Sequence, residues 1–215
     1  MFRKLYRKIY RLTKRVINGE TRQILWDVYY KLRGFDLGYV PLESLGINSE
    51  TGSWHENSGG PDLENVMKNL PISPDDSIID LGCGKGGALI TFSRFSFKSI
   101  DGVDVSQELL LIARSNLSKL GVEKTTLFCS DAATFTDLQK YRFIYMFNPF
   151  PTSVMSHVVV NINESVAKYP RKLTIIYRNP VCHDIIVSNS DFRVAAKFDH
   201  FSIPIWVYEN EYLTN

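Results

Sequence analysis

Residues 78–87 read Ile-Ile-Asp-Leu-Gly-Cys-Gly-Lys-Gly-Gly, a carboxylate and then glycines at 82, 84 and 86, ahead of the helical pattern Ala88-Leu89-Ile90-Thr91-Phe92. Glycines spaced this way let backbone approach a ligand where any Cβ would collide. The free N–H groups of the helix that follows face the same space. The chemistry on offer is a cradle for a nucleotide-like group. Gly82, Gly84 and Gly87 fit the G-x-G-x-x-G of dinucleotide sites, while Gly82, Gly84 and Gly86 fit the G-x-G-x-G of S-adenosylmethionine sites. No Gly-Lys-Ser/Thr closes a Walker loop.

Asp104 strengthens the cradle. It ends a second apolar run, Gly102-Val103-Asp104-Val105, 22 residues beyond Gly82. A carboxylate there can accept both ribose hydroxyls of a nucleoside, although a helix cap with Ser106 is the plainer alternative. Asp131 and Ala132 follow a third strand-like run, where Asp131 can accept from an adenine amino group. Asn148 follows a fourth, with Pro149 and Phe150 after it. That trio offers a side-chain acceptor and a stacking face, suited to holding a nitrogen with its lone pair aimed at a methyl donor. His55, in the turn-rich stretch 35–60, is the candidate base; a solvated loop histidine reads as well. His157, His183 and His200 form no metal-ligand pattern.

These groups need a parallel α/β frame to bring strand ends together. Strands are expected at 77–81, 99–105, 125–129, 142–147 and 171–177, with helices at 87–95, 106–119 and 152–168. A short helix at 181–188 and an antiparallel strand pair, 192–199 and 203–208, complete the run. Ahead of this frame, 2–17 has the spacing of a basic amphipathic helix, with Phe2, Leu5, Ile9, Leu12 and Val16 on one face. It fits either a membrane or polyanion surface or a packed helix. A second helix is expected at 21–32, with Ile24, Leu25, Val28 and Tyr29 inward, and a third at 62–70. The stretch 35–60 is long enough to cover a site. The division expected is 1–60 as an N-terminal helical extension with a lid-like loop, and 61–215 as the cofactor-binding domain.

The 215 residues suffice for a full core. Formal charge is +2, yet 1–17 carries seven basic residues and no acid, which leaves 18 basic against 23 acidic elsewhere. A mildly acidic body argues against a nucleic-acid-binding core. With no long apolar run and three scattered cysteines, Cys83, Cys129 and Cys182, the expectation is a cytoplasmic protein with reduced thiols, touching the inner membrane surface at most peripherally.

On Asp80, Gly82, Gly84, Gly86, Asp104, Asp131 and Asn148, the chain resembles the class I, Rossmann-like S-adenosylmethionine-dependent methyltransferases. The resemblance implies a three-layer α/β fold with a seven-stranded sheet in the order 3-2-1-4-5-7-6, strand 7 antiparallel. It implies S-adenosylmethionine as cofactor, with Gly82, Gly84 and Gly86 under its methionine part, Asp104 on the ribose and Asp131-Ala132 at the adenine. Phe147-Asn148-Pro149-Phe150, Pro170-Arg171-Lys172 and 175–180 (Ile-Ile-Tyr-Arg-Asn-Pro) add a likeness to bacterial members distantly similar to the histone-lysine methyltransferases lacking a SET domain. Those usually carry Tyr-x-Pro-Ser before the first strand; here His55-Glu56-Asn57-Ser58 shares only the serine. The implied reaction is methyl transfer, nitrogen favoured over oxygen, to an acceptor that is a small molecule, glycan or protein side chain. An NAD(P)-dependent oxidoreductase and a non-catalytic surface-binding module on the same fold are the alternatives.

Overall fold

The computed structural model describes residues 20–40, 57–148 and 150–211; the segment 2–17, Trp54, His55 and Pro149 lie outside them. Strands β1 (Ser77–Leu81), β4 (Phe143–Phe147) and β5 (Thr174–Arg178) are almost wholly buried and read as continuous apolar runs. That pattern belongs to strands covered on both faces. With β2 (Ser99–Asp104), β3 (Leu127–Cys129), β6 (Phe192–Phe198) and β7 (Ile205–Asn210), they form one seven-stranded sheet in the order β3-β2-β1-β4-β5-β7-β6. The first five are mutually parallel, and β7 runs antiparallel to β5 and β6. This is the Rossmann-like order that the resemblance implied.

Alternate residues along each strand feed opposite cores. Ile78, Phe143, Tyr145 and Ile176 join Trp26 and Tyr30 of helix α1 (Thr21–Leu32), Leu63 and Val66 of α2 (Pro61–Lys68) and Ala88 to Phe92 of α3 (Gly87–Phe92). Helix α4 (Gln107–Ser118) adds Leu110 and Leu117 to that face. The other face packs Ile79, Ile144, Ile175 and Tyr208 against α5 (Thr152–Lys168) and Ile186 of α6 (His183–Ser188). Helix starts follow their chemistry. Pro61 opens α2 with Asp62 and Glu64 in its first turn, and Ser106 caps α4 by accepting from the Leu109 N–H.

Two expectations are corrected. In α1 the buried residues are Trp26 and Tyr30, whereas Leu25, Val28 and Tyr29 are exposed and Ile24 is half-buried. The helix carries two stripes at helical spacing, and polar contacts decide between them. Gln23 and Asp27 bond the segment 57–60, and the Tyr30 hydroxyl accepts from Arg94 Nη2 at 3.0 Å. Strand β5 also begins at Thr174 rather than 171. Arg171 is drawn off the ladder because its guanidinium donates to the carbonyls of Leu138, Tyr141, Ser165 and Tyr169.

Candidate active site

In-register neighbours on parallel strands share a face, so the ladders Asp80↔Gly102, Asp80↔Tyr145 and Phe147↔Arg178 bring several polar groups together. Asp80, Asp104, Tyr145, Phe147 and Arg178 line one face at the carboxyl ends of four strands, the crevice where open α/β sheets bind ligands. Residues 57–60 cross this face. The Ser58 carbonyl accepts from the Tyr145 hydroxyl at 3.3 Å and from Arg178 Nη1 at 3.1 Å. Gly60 N–H donates to Thr91 Oγ1 at 2.9 Å. The crossing is so close that a Cβ on Gly59 would collide with the Gly87 carbonyl.

The glycine turn is held from below. Gly82 and Cys83 both donate to the Val103 carbonyl, and Gly84 N–H donates to Asp104 Oδ2 at 2.8 Å. Gly82, Gly84 and Gly86 all sit at positive φ, 89°, 50° and 79°, a region that a side chain makes costly. Gly86 caps α3 in that left-handed conformation. Lys85 points away, buried, and pairs with Asp36 Oδ1 at 2.6 Å. Asn116 of α4 ties the Asp36 segment to the turn by donating to the carbonyls of Asp36 and Lys85. The turn is therefore pinned before any ligand arrives.

The electrostatics are unbalanced in the way a binding site requires. Asp80 is buried at 2% exposure, and its Oδ2 has no hydrogen-bond partner. Burial, and then the nearby Asp104 charge, push its carboxyl well above the usual carboxylate range. Burial also raises Asp104, opposed by the backbone N–H groups of Ser106, Gly84 and Val105. Two neighbouring acids with spare acceptor capacity favour a ligand that brings donors or positive charge.

Past β4, Asn148 stands at φ 36°, a strained conformation that asparagine tolerates better than most residues. Its Oδ1 is buried without a partner. Phe150 is half-buried against the α5-side core. Asp131 is exposed after β3, with Oδ1 accepting from Ala133 N–H at 2.8 Å, and Ala132 is buried beneath it. The structure thus gathers Asp80, Gly82, Gly84, Gly86 and Asp104 closely and sets Asn148 and Asp131 at flanking strand ends. His55 lies outside the described residues. Among the described residues no group of three or more His, Cys, Asp or Glu could hold a metal ion, and no helix is long and apolar enough to cross a membrane.

Sequence reasoning missed Arg178, Lys85 and the residues that hold Lys85, Asp36 and Asn116. A basic residue inside the glycine turn was the visible signal for one. Arg178-Asn179-Pro180, parallel to Phe147-Asn148-Pro149, was the signal for the other.

Residues 78–168 match the methyltransferase-domain family. The chain is 26% identical over 128 residues to the "Probable cobalt-precorrin-6B C(15)-methyltransferase (decarboxylating)" of Methanococcus vannielii, covering 60% of this chain and 69% of that protein. It is 26% identical to human EEF1A lysine methyltransferase 2 over 49% of this chain and 42% of the relative. Across the curated relatives it matches, the chain spans as little as 20% of their length. In fold it is similar to the ribosomal protein L11 methylase of Lactobacillus delbrueckii, with a TM-score of 0.59 at 14% identity, covering 77% of this chain and 84% of that one.

Proposed function

We propose, from the premise that this chain carries a class I S-adenosylmethionine-dependent methyltransferase domain, that it moves a methyl group to a nitrogen of an as yet unidentified acceptor. The observation that carries this is the set of orphaned buried acceptors, Asp80 Oδ2 and Asn148 Oδ1, flanking a pinned glycine turn. Unpaired buried acceptors cost stability unless a ligand completes them. The cofactor fits that description: an amino-acid ammonium for Asp80, ribose hydroxyls for Asp104, and backbone close to Gly82, Gly84 and Gly86. Asp131 and Ala132 would flank the adenine.

When bound, S-adenosylmethionine supplies a sulfonium methyl that is already strongly electrophilic. The chain's own contribution is then alignment and exclusion of water. Asn148 Oδ1 accepts a hydrogen bond from the acceptor nitrogen and turns its lone pair toward the methyl. Phe150 narrows the approach, and residues 57–60, tied to Tyr145 and Arg178, close the crevice from above. A base is needed to take the proton that an ammonium acceptor must lose; His55 is our candidate. In this reading 61–215 is the catalytic unit and 1–60 its cover. The basic stretch within 1–17 offers a peripheral contact to an anionic surface.

The test uses methyl-tritiated S-adenosylmethionine with separated small-molecule, glycan and protein fractions of a cell extract. Label that survives base and chromatographs as N-methyl product after hydrolysis supports the reading. Label released by base as methanol overturns the nitrogen assignment.

A further inference from the structure

Arg178 is a buried cation with no carboxylate partner among the described residues. It is 4% exposed, ends β5, and lies opposite Phe147 of β4, with its guanidinium carbon 5.2 Å from the Phe147 ring centroid. Its Nη1 donates to the Ser58 carbonyl, the Tyr145 hydroxyl lies beside its guanidinium, and Nε is buried with no partner among the described residues. No carboxylate among the described residues pairs with it. Taking a guanidinium out of water without a counter-charge costs several kcal/mol, on the order of the penalties that make such groups rare unless they meet a ligand. A residue serving only to hold Ser58 would not need that charge, since the Tyr145 hydroxyl donates to the same carbonyl.

The donor left without a partner, Nε–H, has a defined direction. Nε–H and the adjacent Nη2–H leave one edge of the planar guanidinium in parallel, the fork that matches the two oxygens of a carboxylate. Nη1, on the other side, is the one engaged. The free edge belongs to the crevice end of β5, beside Asn148, two strands from Asp80. The site is therefore acidic at β1 and β2 and cationic at β5. A ligand meeting both ends carries a donor or positive group at one and an anion at the other.

We propose that Arg178 receives a carboxylate of a bound ligand through its free Nε–Nη2 edge, and so sets which molecules the crevice accepts. This rests on the methyltransferase reading for the ligand's identity. Two sources share the chemistry: the amino-acid end of the cofactor, and an acidic group on the methyl acceptor.

Side-chain Nε–H resonances of arginine separate them. The Arg178 signal is assigned by its loss in Arg178→Lys and followed as the full-length protein is titrated with S-adenosylhomocysteine, with 5′-deoxy-5′-methylthioadenosine, which lacks the amino-acid end, and with acetate added to the S-adenosylhomocysteine complex. A downfield move with S-adenosylhomocysteine but not with the truncated nucleoside assigns the carboxylate to the cofactor. A move only when acetate is added assigns it to the acceptor. In the first case Arg178→Lys, which keeps a donor for Ser58 but loses the fork, weakens S-adenosylhomocysteine by about 10- to 100-fold and leaves the truncated nucleoside unchanged. In the second it leaves the affinity for both nucleosides unchanged. An Arg178 signal that answers to none of the three overturns the proposal. The Gly84 amide signal reports the other reading separately: if it is silent to both nucleosides, the methyltransferase reading fails whatever Arg178 does with acetate.

Discussion

Replacing Asp80 by asparagine should stabilise the ligand-free protein and weaken its ligand binding together. Asp80 is 2% exposed, its Oδ2 has no hydrogen-bond partner among the described residues, and it stands close enough to Asp104 for their charges to repel. Asparagine has the same shape and no charge, so the substitution removes the repulsion and the charged part of the desolvation. Burying an unpaired charge costs more than burying an unpaired amide, so Asp80→Asn should recover about 1 kcal/mol net, the amide keeping a smaller unbonded-polar cost of its own. For a chain of this length each kcal/mol moves Tm by about 2–4 °C. The pH dependence follows from the raised pKa. The wild-type carboxyl contributes its full share of stability below the unfolded value near 3.8 and loses it as pH rises through the raised folded value. The gap between Asp80→Asn and wild type is therefore widest at neutral and alkaline pH and closes as pH falls into the carboxylate range. Thermal unfolding across pH, with and without S-adenosylhomocysteine, measures both halves. The variant's added stabilisation by ligand should be smaller than wild type's, corresponding to about 10- to 100-fold weaker binding. An Asp80→Asn protein that melts lower than wild type at neutral pH would refute the reasoning.

The strap and the acceptor side give further expectations. Gly59→Ala forces a Cβ onto the Gly87 carbonyl. It should cost about 1–3 kcal/mol in chemical unfolding and raise proteolytic cleavage near residues 57–60; unchanged stability would show that the strap moves aside freely. Asn148→Gly keeps the positive φ and deletes the orphaned oxygen. Once an acceptor is found, kcat should fall by about 10²-fold or more with little change in the KM for S-adenosylmethionine, and an equal loss in cofactor affinity would move Asn148 to the cofactor's side. Lys85→Met breaks the Asp36 pair beneath the glycine turn. Because the Asp36 side chain is 57% exposed, the cost in urea unfolding should stay at about 1–2 kcal/mol; a null result would mean that the other contacts of this segment, those of Asn116 among them, hold it without the ion pair.

Strands β1 and β4 were legible because each is a short apolar run met by glycine or asparagine, and β2 because it ends in a carboxylate; the strand order followed from the resemblance. Asp80, Asp104 and the glycines could be read together because the turn and the next strand's end must meet in any parallel βαβ unit. What sequence hid was whatever depends on register or on a second layer. With β5 expected to end at 177, Arg178 fell outside the strand, yet its pairing with Phe147 aims it into the crevice. The orientation of α1 was equally hidden: Leu25 and Val28 look like core residues until Gln23 and Asp27 find the backbone and Asn57 side chain of the strap. Such polar contacts between segments 30 or more residues apart leave no periodic trace.

The central claim is that the pinned glycine turn and its two carboxylates form an S-adenosyl site. Calorimetric titration of the wild-type protein with S-adenosylhomocysteine and, separately, NADH tests it most directly, repeated with Asp104→Ala. The account predicts micromolar binding of S-adenosylhomocysteine alone, lost in the variant along with the acceptor that holds the Gly84 N–H. Binding of NADH instead, or binding of S-adenosylhomocysteine that survives Asp104→Ala undiminished, would contradict it.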